Sequence, residues 1–220
     1  MKKSILIFSI LLAANFSFAQ MPDKFVKAME AKVIAADTTQ TPEGLLELAN
    51  SFERIADAEK NQWLAYYYAA LCNVNAGLRM GGTDIMSGNP DKTDPVADKA
   101  EGLIKKAEAM MKDNSEIFVV KKMIASLRMM GDPMNRFMTY GPEAQAMLDE
   151  AKKLDPNNPR TYLLEGQDKF FTPEQFGGSK AEAKILFETA IKKFEAAKPE
   201  TNIHPSWGLP ATKYFHSQCQ

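Results

Sequence analysis

Three times between residues 100 and 190 the chain sets an alanine, a large apolar residue four positions on, and a second alanine three further. The instances are Ala100–Ile104–Ala107, Ala144–Leu148–Ala151 and Ala183–Phe187–Ala190. Offsets of four and three place all three residues on one helical face. A small–large–small face lets a neighbouring helix approach closely at two points and grip the bulky side chain between them. Recurrence of that face predicts stacked helix pairs, each burying its apolar side against the next. Helix starts support the reading. Thr41-Pro42, Asp94-Pro95 and Gly141-Pro142 put proline where its missing N–H costs nothing, and Ser179-Lys-Ala-Glu182 has capping-box spacing. These starts give second helices at about 42–58, 94–112, 142–154 and 179–197. First helices fall near 24–36, 61–79, 115–131 and 159–171, and a terminal helix over 206–218 covers the last pair.

The repeated face, with Pro156 closing the run after Ala151, resembles the second helix of the tetratricopeptide repeat. That resemblance implies an all-α, right-handed helical-hairpin solenoid of about four pairs plus a C-terminal cap, forming one domain over residues 20–220. Gly166 falls where the family prefers a small residue. Two departures stand out. Leu48–Phe52–Ile55 keeps a helical spacing but lacks the alanines, and Lys121 and Lys122 occupy positions where apolar and small residues are expected. The alanine pairs are also set 44 and 39 residues apart, against ~34 for a plain repeat. The excess falls in Met80–Thr93, Gly131–Gly141 and Thr172–Gly178. These segments are expected to be loops gathered on one edge, with Ile85, Met86, Met134, Phe137, Tyr140 and Phe176 among them as packing plugs or partner contacts.

The N-terminus reads as an export signal. Lys2 and Lys3 precede the apolar run Ser4–Ala14, and Ser17-Phe-Ala19 supplies small residues at a cleavage site. Cleavage after Ala19 places the protein in the periplasm or outside the cell, with no stable membrane insertion afterwards. The net charge of −1 comes without a basic block, so nothing favours nucleic acid as a partner. Two cysteines, Cys72 and Cys219, are too few for a disulfide scaffold, though export would permit them to pair.

Catalysis finds little material. The two histidines, His204 and His216, both lie in the tail. His216 and Cys219 have a legal metal spacing, but two ligands do not make a zinc site. Gly177-Gly-Ser-Lys180 has the wrong residue order for a phosphate loop, and helix capping accounts for it. Carboxylates alternate with lysines as on exposed helix faces. The sequence therefore predicts neither a catalytic residue, a metal site nor a cofactor, and a protein that is not an enzyme. Thirteen methionines at helical spacing read as core filling. In Tyr66-Tyr-Tyr68 each step turns ~100°, so at least one ring is expected to reach the groove or solvent.

Asp155-Pro-Asn-Asn-Pro-Arg160, Phe170-Phe-Thr-Pro-Glu-Gln-Phe-Gly-Gly178 and Pro205-Ser-Trp-Gly208 together resemble small exported tetratricopeptide-like proteins of double-membraned bacteria. The last piece is also similar to helical periplasmic proteins of TRAP-type solute transport. The first resemblance implies a scaffold that binds an envelope protein or peptide in a groove lined by first helices. The second implies a small-molecule binder working with a transport system. Candidate contacts for either are Tyr68, Phe137, Tyr140, Phe176 and Trp207.

Overall fold

Helix-forming segments separated by short capped turns leave the chain no alternative to helix-on-helix packing. The computed structural model describes residues 21–81 and 88–219, so the expected export signal and the candidate residues Ile85 and Met86 lie outside it. The helices run in order α1 (Asp23–Thr38), α2 (Pro42–Glu59), α3 (Trp63–Met80), α4 (Pro90–Met110), α5 (Ser115–Gly131), α6 (Pro133–Leu154), α7 (Pro159–Phe171), α8 (Lys180–Ala196) and α9 (Leu209–Ser217), with a 3-10 turn at Glu174–Phe176. Each helix packs on the next in sequence, and α3 also touches α1 and α5. That is the arrangement of a helical solenoid, with α1, α3, α5 and α7 as the first helices of four pairs.

The alanine triads do what their spacing implies. All nine residues are at most 6% exposed. α2 joins them in mirrored form. Its buried residues are Leu45, Ala49, Phe52 and Ala56, so the alanines flank Phe52 at offsets of three and four. The first pair thus has its alanines too, on a buried face turned relative to Leu48–Phe52–Ile55.

Gly166 on α7 admits α8. A Cβ there would lie 2.5 Å from Cε1 and 2.8 Å from Cδ1 of buried Phe187, closer than packed carbon atoms approach. Gly166→Ala is therefore expected to destabilise the protein by about 1–3 kcal/mol, despite the better helix propensity of alanine. Chemical denaturation checks this, and unchanged stability would show that α7 and α8 can part freely.

Two expected starts are displaced. α4 begins at Pro90 and α6 at Pro133, leaving Pro95 and Pro142 inside helices. The segment Gly131–Gly141 is hence no loop but the last residue of α5, a one-residue junction and the opening turns of α6. The second of the three expected loops therefore does not form. An interior proline removes a backbone bond and costs about 3 kcal/mol; here side chains offset part of it. Arg136 donates to both Asp94 oxygens at 2.7 and 2.8 Å and to the Arg128 carbonyl at 3.2 Å. The lengthened start of α6 is thereby pinned to that of α4.

Lys122 finds its reason between pairs three and four. It is 3% exposed and donates to Asp168 of α7 at 2.7 Å. Lys152 of α6 pairs with Glu165 of α7 at 2.5 Å, and Glu116 of α5 pairs with Arg160 of α7. This junction carries three ion pairs beside the apolar contact of Leu164, which joins the main core of α1 to α6, while α7 to α9 centre on a second core around Phe187.

Candidate functional site

The row of first helices should present an open groove, and the chain fills it itself. From the end of α8, residues 199–208 run back as a strap across α1, α3 and α7. Asn202 donates to Glu30 of α1, and Ile203 is fully buried in the main core. Trp207 donates from its indole nitrogen to the Tyr67 hydroxyl at 2.9 Å, and its carbonyl accepts from Arg160 at 3.3 Å. Gly208 then turns at φ +110°, open to glycine and few others. Its N–H donates to Asp37, partly offsetting the burial that raises that carboxyl's pKa.

Beneath the strap lies a buried polar cluster. Glu116 accepts from Arg160 twice, at 2.7 and 2.6 Å, from Asn158 at 2.6 Å and from the Tyr67 hydroxyl at 3.1 Å. Burial works against the Arg160 charge, but the facing carboxylate more than offsets it and the guanidinium's pKa goes up. Burial likewise pushes the Tyr67 and Tyr68 phenols up. None of the three successive tyrosines is exposed, and Tyr67 is the one that faces the groove, where its hydroxyl accepts from Trp207 of the strap. α3 is enclosed on every side; Tyr66 bonds Asp57 at 2.8 Å, Tyr67 bonds Glu116, and Tyr68 stacks on Phe52 at 5.2 Å. Its hydroxyl meets no partner among the described residues.

His204 makes the strap sensitive to pH. It packs 6.4 Å from the Trp63 ring, with Nδ1 2.8 Å from Thr201 Oγ1 and Nε2 3.3 Å from Glu200. Burial holds its pKa below the usual value, with Glu200 and Glu116 pulling the other way. The other charges at the strap are Glu30, Asp37 and Arg160. A lowered folded pKa means that the docked strap prefers neutral His204. Its docking is at full strength above about pH 6.5 and weakens as pH falls from there towards the folded value. Amide exchange in residues 199–208 should be faster at about pH 5.5 than expected from intrinsic chemistry at about pH 7.5, and His204→Gln should remove that excess.

Two apolar surfaces remain outside. One is a face of the lengthened start of α6, where Met134, Phe137 and Met138 recur at helical spacing and Met138 is 81% exposed. The other is an aromatic ledge where α7 ends against α9. Phe171 lies 5.1 Å from Phe170 and 5.5 Å from Phe215, and Tyr214 lies 5.4 Å from Phe215, between ring centroids. Phe170 and Phe215 lean on Phe187 and belong to the second core. Phe171 and Tyr214 form its outer layer, 50% and 61% exposed. Lys180 sits 5.5 Å above the Phe170 ring. Burial raises the Cys219 thiol's pKa, while Lys180 and Lys184 act on it in the opposite sense.

The five sequence-derived contacts therefore divide. Tyr68 is core and Trp207 anchors the strap. Phe137 and Tyr140 share α6, the first exposed and the second half-buried, while Phe176 is 70% exposed on the 3-10 turn. Sequence reading missed the ledge. Its signals were the adjacent aromatics Phe170-Phe171 and Tyr214-Phe215, which only the packing of α9 brings together. Cys72 and Cys219 are free thiols, and burial pushes Cys72 up to about 12. Among the described residues no group of three or more His, Cys, Asp or Glu side chains is placed to hold a metal ion, and no helix is long and apolar enough to cross a membrane.

No protein-family model matches the chain, and no curated protein matches it. Among solved structures it is similar to the HusA haemophore from Porphyromonas gingivalis. The TM-score is 0.78 and the sequence identity 33%, over 89% of this chain and 92% of that one.

Proposed function

Because the chain belongs to the family of the HusA haemophore, we propose that it is an exported carrier of haem or a closely related tetrapyrrole. The single observation that carries this reading is identity of 33% spread over nearly the whole of both chains, which places the two proteins in one fold with many side chains in common. The filled groove supports it over a peptide-binding scaffold, since the strap occupies the place where a partner segment would lie. Two surface depressions, one lined by Lys24, Arg54 and Glu59 and the other by Lys105, Lys112 and Phe118, are open and rimmed with charge. A flat apolar cargo is better served by an exposed aromatic face. On this reading the protein binds and hands over its cargo without catalysing a reaction, and the export signal takes it to where such a cargo is collected.

Titrating ferric haem into the purified mature protein tests this. The expected result is a saturable change in the haem absorbance spectrum with micromolar or tighter affinity, about 8 kcal/mol. A spectrum identical to that with a non-binding control protein would end the reading.

A second reading, an envelope protein partner, draws on the Met134–Phe137–Met138 face, because exposed apolar patches mark interaction surfaces. Affinity capture from envelope extracts separates the two. A stoichiometric partner lost on Phe137→Ala, with no haem bound, favours the scaffold.

A further inference from the structure

We infer that Met129, Met134 and Met138 form a thioether site for a soft monovalent cation, copper(I), at the lengthened start of α6. The site goes beyond the carrier reading and does not depend on it.

Methionine at helical spacing is expected to fill a core, and these residues do not. Met138 and Met134 are the two most exposed large apolar side chains among the described residues, at 81% and 75%. Their sulfur atoms are therefore open to an ion from solution. Offsets of four and three put Met134, Met138 and Gly141 on one face of α6. Met129, in the last turn of α5, reaches that face from the neighbouring helix. Its Sδ lies 3.9 Å from the point where a Cβ on Gly141 would project, and the Phe137 ring lines the same point at 3.7 and 3.8 Å. Residues three or four apart on a helix hold their Cβ atoms about 5–6 Å apart, a gap that methionine spans with three rotatable bonds. Sulfurs from two helices can thus meet over one notch, floored by Gly141 and walled by an aromatic ring.

Donor chemistry selects the ion. A thioether is neutral, polarisable and without a proton, so it leaves calcium, magnesium and other hard ions to oxygen donors and selects copper(I). Zinc requires thiolate, imidazole or carboxylate ligands, and the two histidines and two cysteines of the chain lie on α3 and in the C-terminal tail.

Local charge permits a cation here. From Pro133 to Ala151 the helix carries one cation, Arg136, and Asp94 neutralises it at 2.7 Å. Arg128, next to Met129, is neutralised by Asp98 and Glu101. The fork from Arg136 also holds the start of α6 in place, so two of the three ligands stand on a fixed helix. On binding, sulfur lone pairs replace water on the ion; no proton is released and no electron moves. Thiolate and imidazole sites gain affinity as pH rises because a proton must leave them, whereas this one should not.

Silver(I) in nitrate buffer is the redox-inert probe, and the mature protein carries Cys219→Ser so that the C-terminal thiol cannot take the first equivalent. Methyl NMR of the labelled methionines is the readout. The signals of Met129, Met134 and Met138 should shift saturably at micromolar silver, with an affinity equal at about pH 5.5 and about pH 7.5. Met134→Leu with Met138→Leu keeps the face apolar and removes two sulfurs. It should weaken silver by about tenfold or more and leave the melting temperature unchanged. Copper(I) titrated under anaerobic conditions against a chromogenic chelator should weaken alike. Methyl signals that stay in place up to about a hundred times that silver concentration overturn the site. Equal affinity in the double leucine variant overturns it as well. So does an affinity that climbs with pH, which assigns the ion to a histidine or thiol instead.

Discussion

Arg160→Met is expected to lower the unfolding free energy by about 3–5 kcal/mol. The guanidinium is 6% exposed and forms a two-pronged pair with Glu116, whose carboxylate also accepts from Asn158 and Tyr67. Taking away the cation leaves a buried carboxylate with only neutral donors around it, and desolvation is then uncompensated. The partner's fate makes the test specific. Glu116→Gln in the Arg160→Met background removes the stranded charge and should restore part of the loss, so the two changes should be far from additive in a double-mutant cycle. Additive effects would mean that the pair is only a contact of convenience. The substitution should also loosen α7, because this pair, Lys122–Asp168 and Lys152–Glu165 join pair four to pair three beside the apolar contact of Leu164.

Trp207→Ala is expected to release the strap. The indole bonds Tyr67, stands 5.4 Å from the Arg160 guanidinium and packs against both apolar cores. Truncation of a packed tryptophan costs about 3–5 kcal/mol, with the lower figure apt for a side chain that is only partly covered. The distribution of the effect is the sharper readout. Amide exchange should accelerate over residues 199–208 and at Tyr67, while α4 and the far half of α5 keep their protection. Uniform loss of protection would show that the strap is part of one cooperative unit rather than a segment laid on a finished solenoid. Because strap and cap are continuous, α9 should loosen with it, and the ledge would then lose Tyr214 and Phe215 together.

Much of the fold was legible. The triads at Ala100, Ala144 and Ala183 identified three second helices because burial of a small–large–small face is a local, periodic requirement, and periodicity survives in sequence. Capping was legible for the same reason. Thr41 and Ser179 accept from the N–H groups of Gly44 and Glu182 at 3.2 Å, but the capping box closes only halfway, since the Ser179 N–H donates to the Lys169 carbonyl and Glu182 pairs with the Lys169 ammonium. The helix starts at Pro95 and Pro142 misled, since Asn89-Pro90 and Asp132-Pro133 offered equally good ones upstream. The choice between them turned on the fork from Arg136 to Asp94, a contact 42 residues apart in the chain. Phe52 was assigned the wrong companions because a face with its alanines at offsets of three and four is as helical as one at four and three.

The sequence by itself determined that this chain folds as stacked helix pairs with a capped end, since each helix carries its own apolar face, its own starts and its own stops. The tertiary structure alone decided what those pairs expose. Lys122 became a buried ion pair and Tyr68 a core residue because other helices closed over them. The groove became a berth for residues 199–208, and Phe171 met Phe215 across more than forty residues of chain. Periodic burial is written into neighbours three and four positions apart. Burial by a distant segment depends on where the whole chain returns, and no local spacing encodes that.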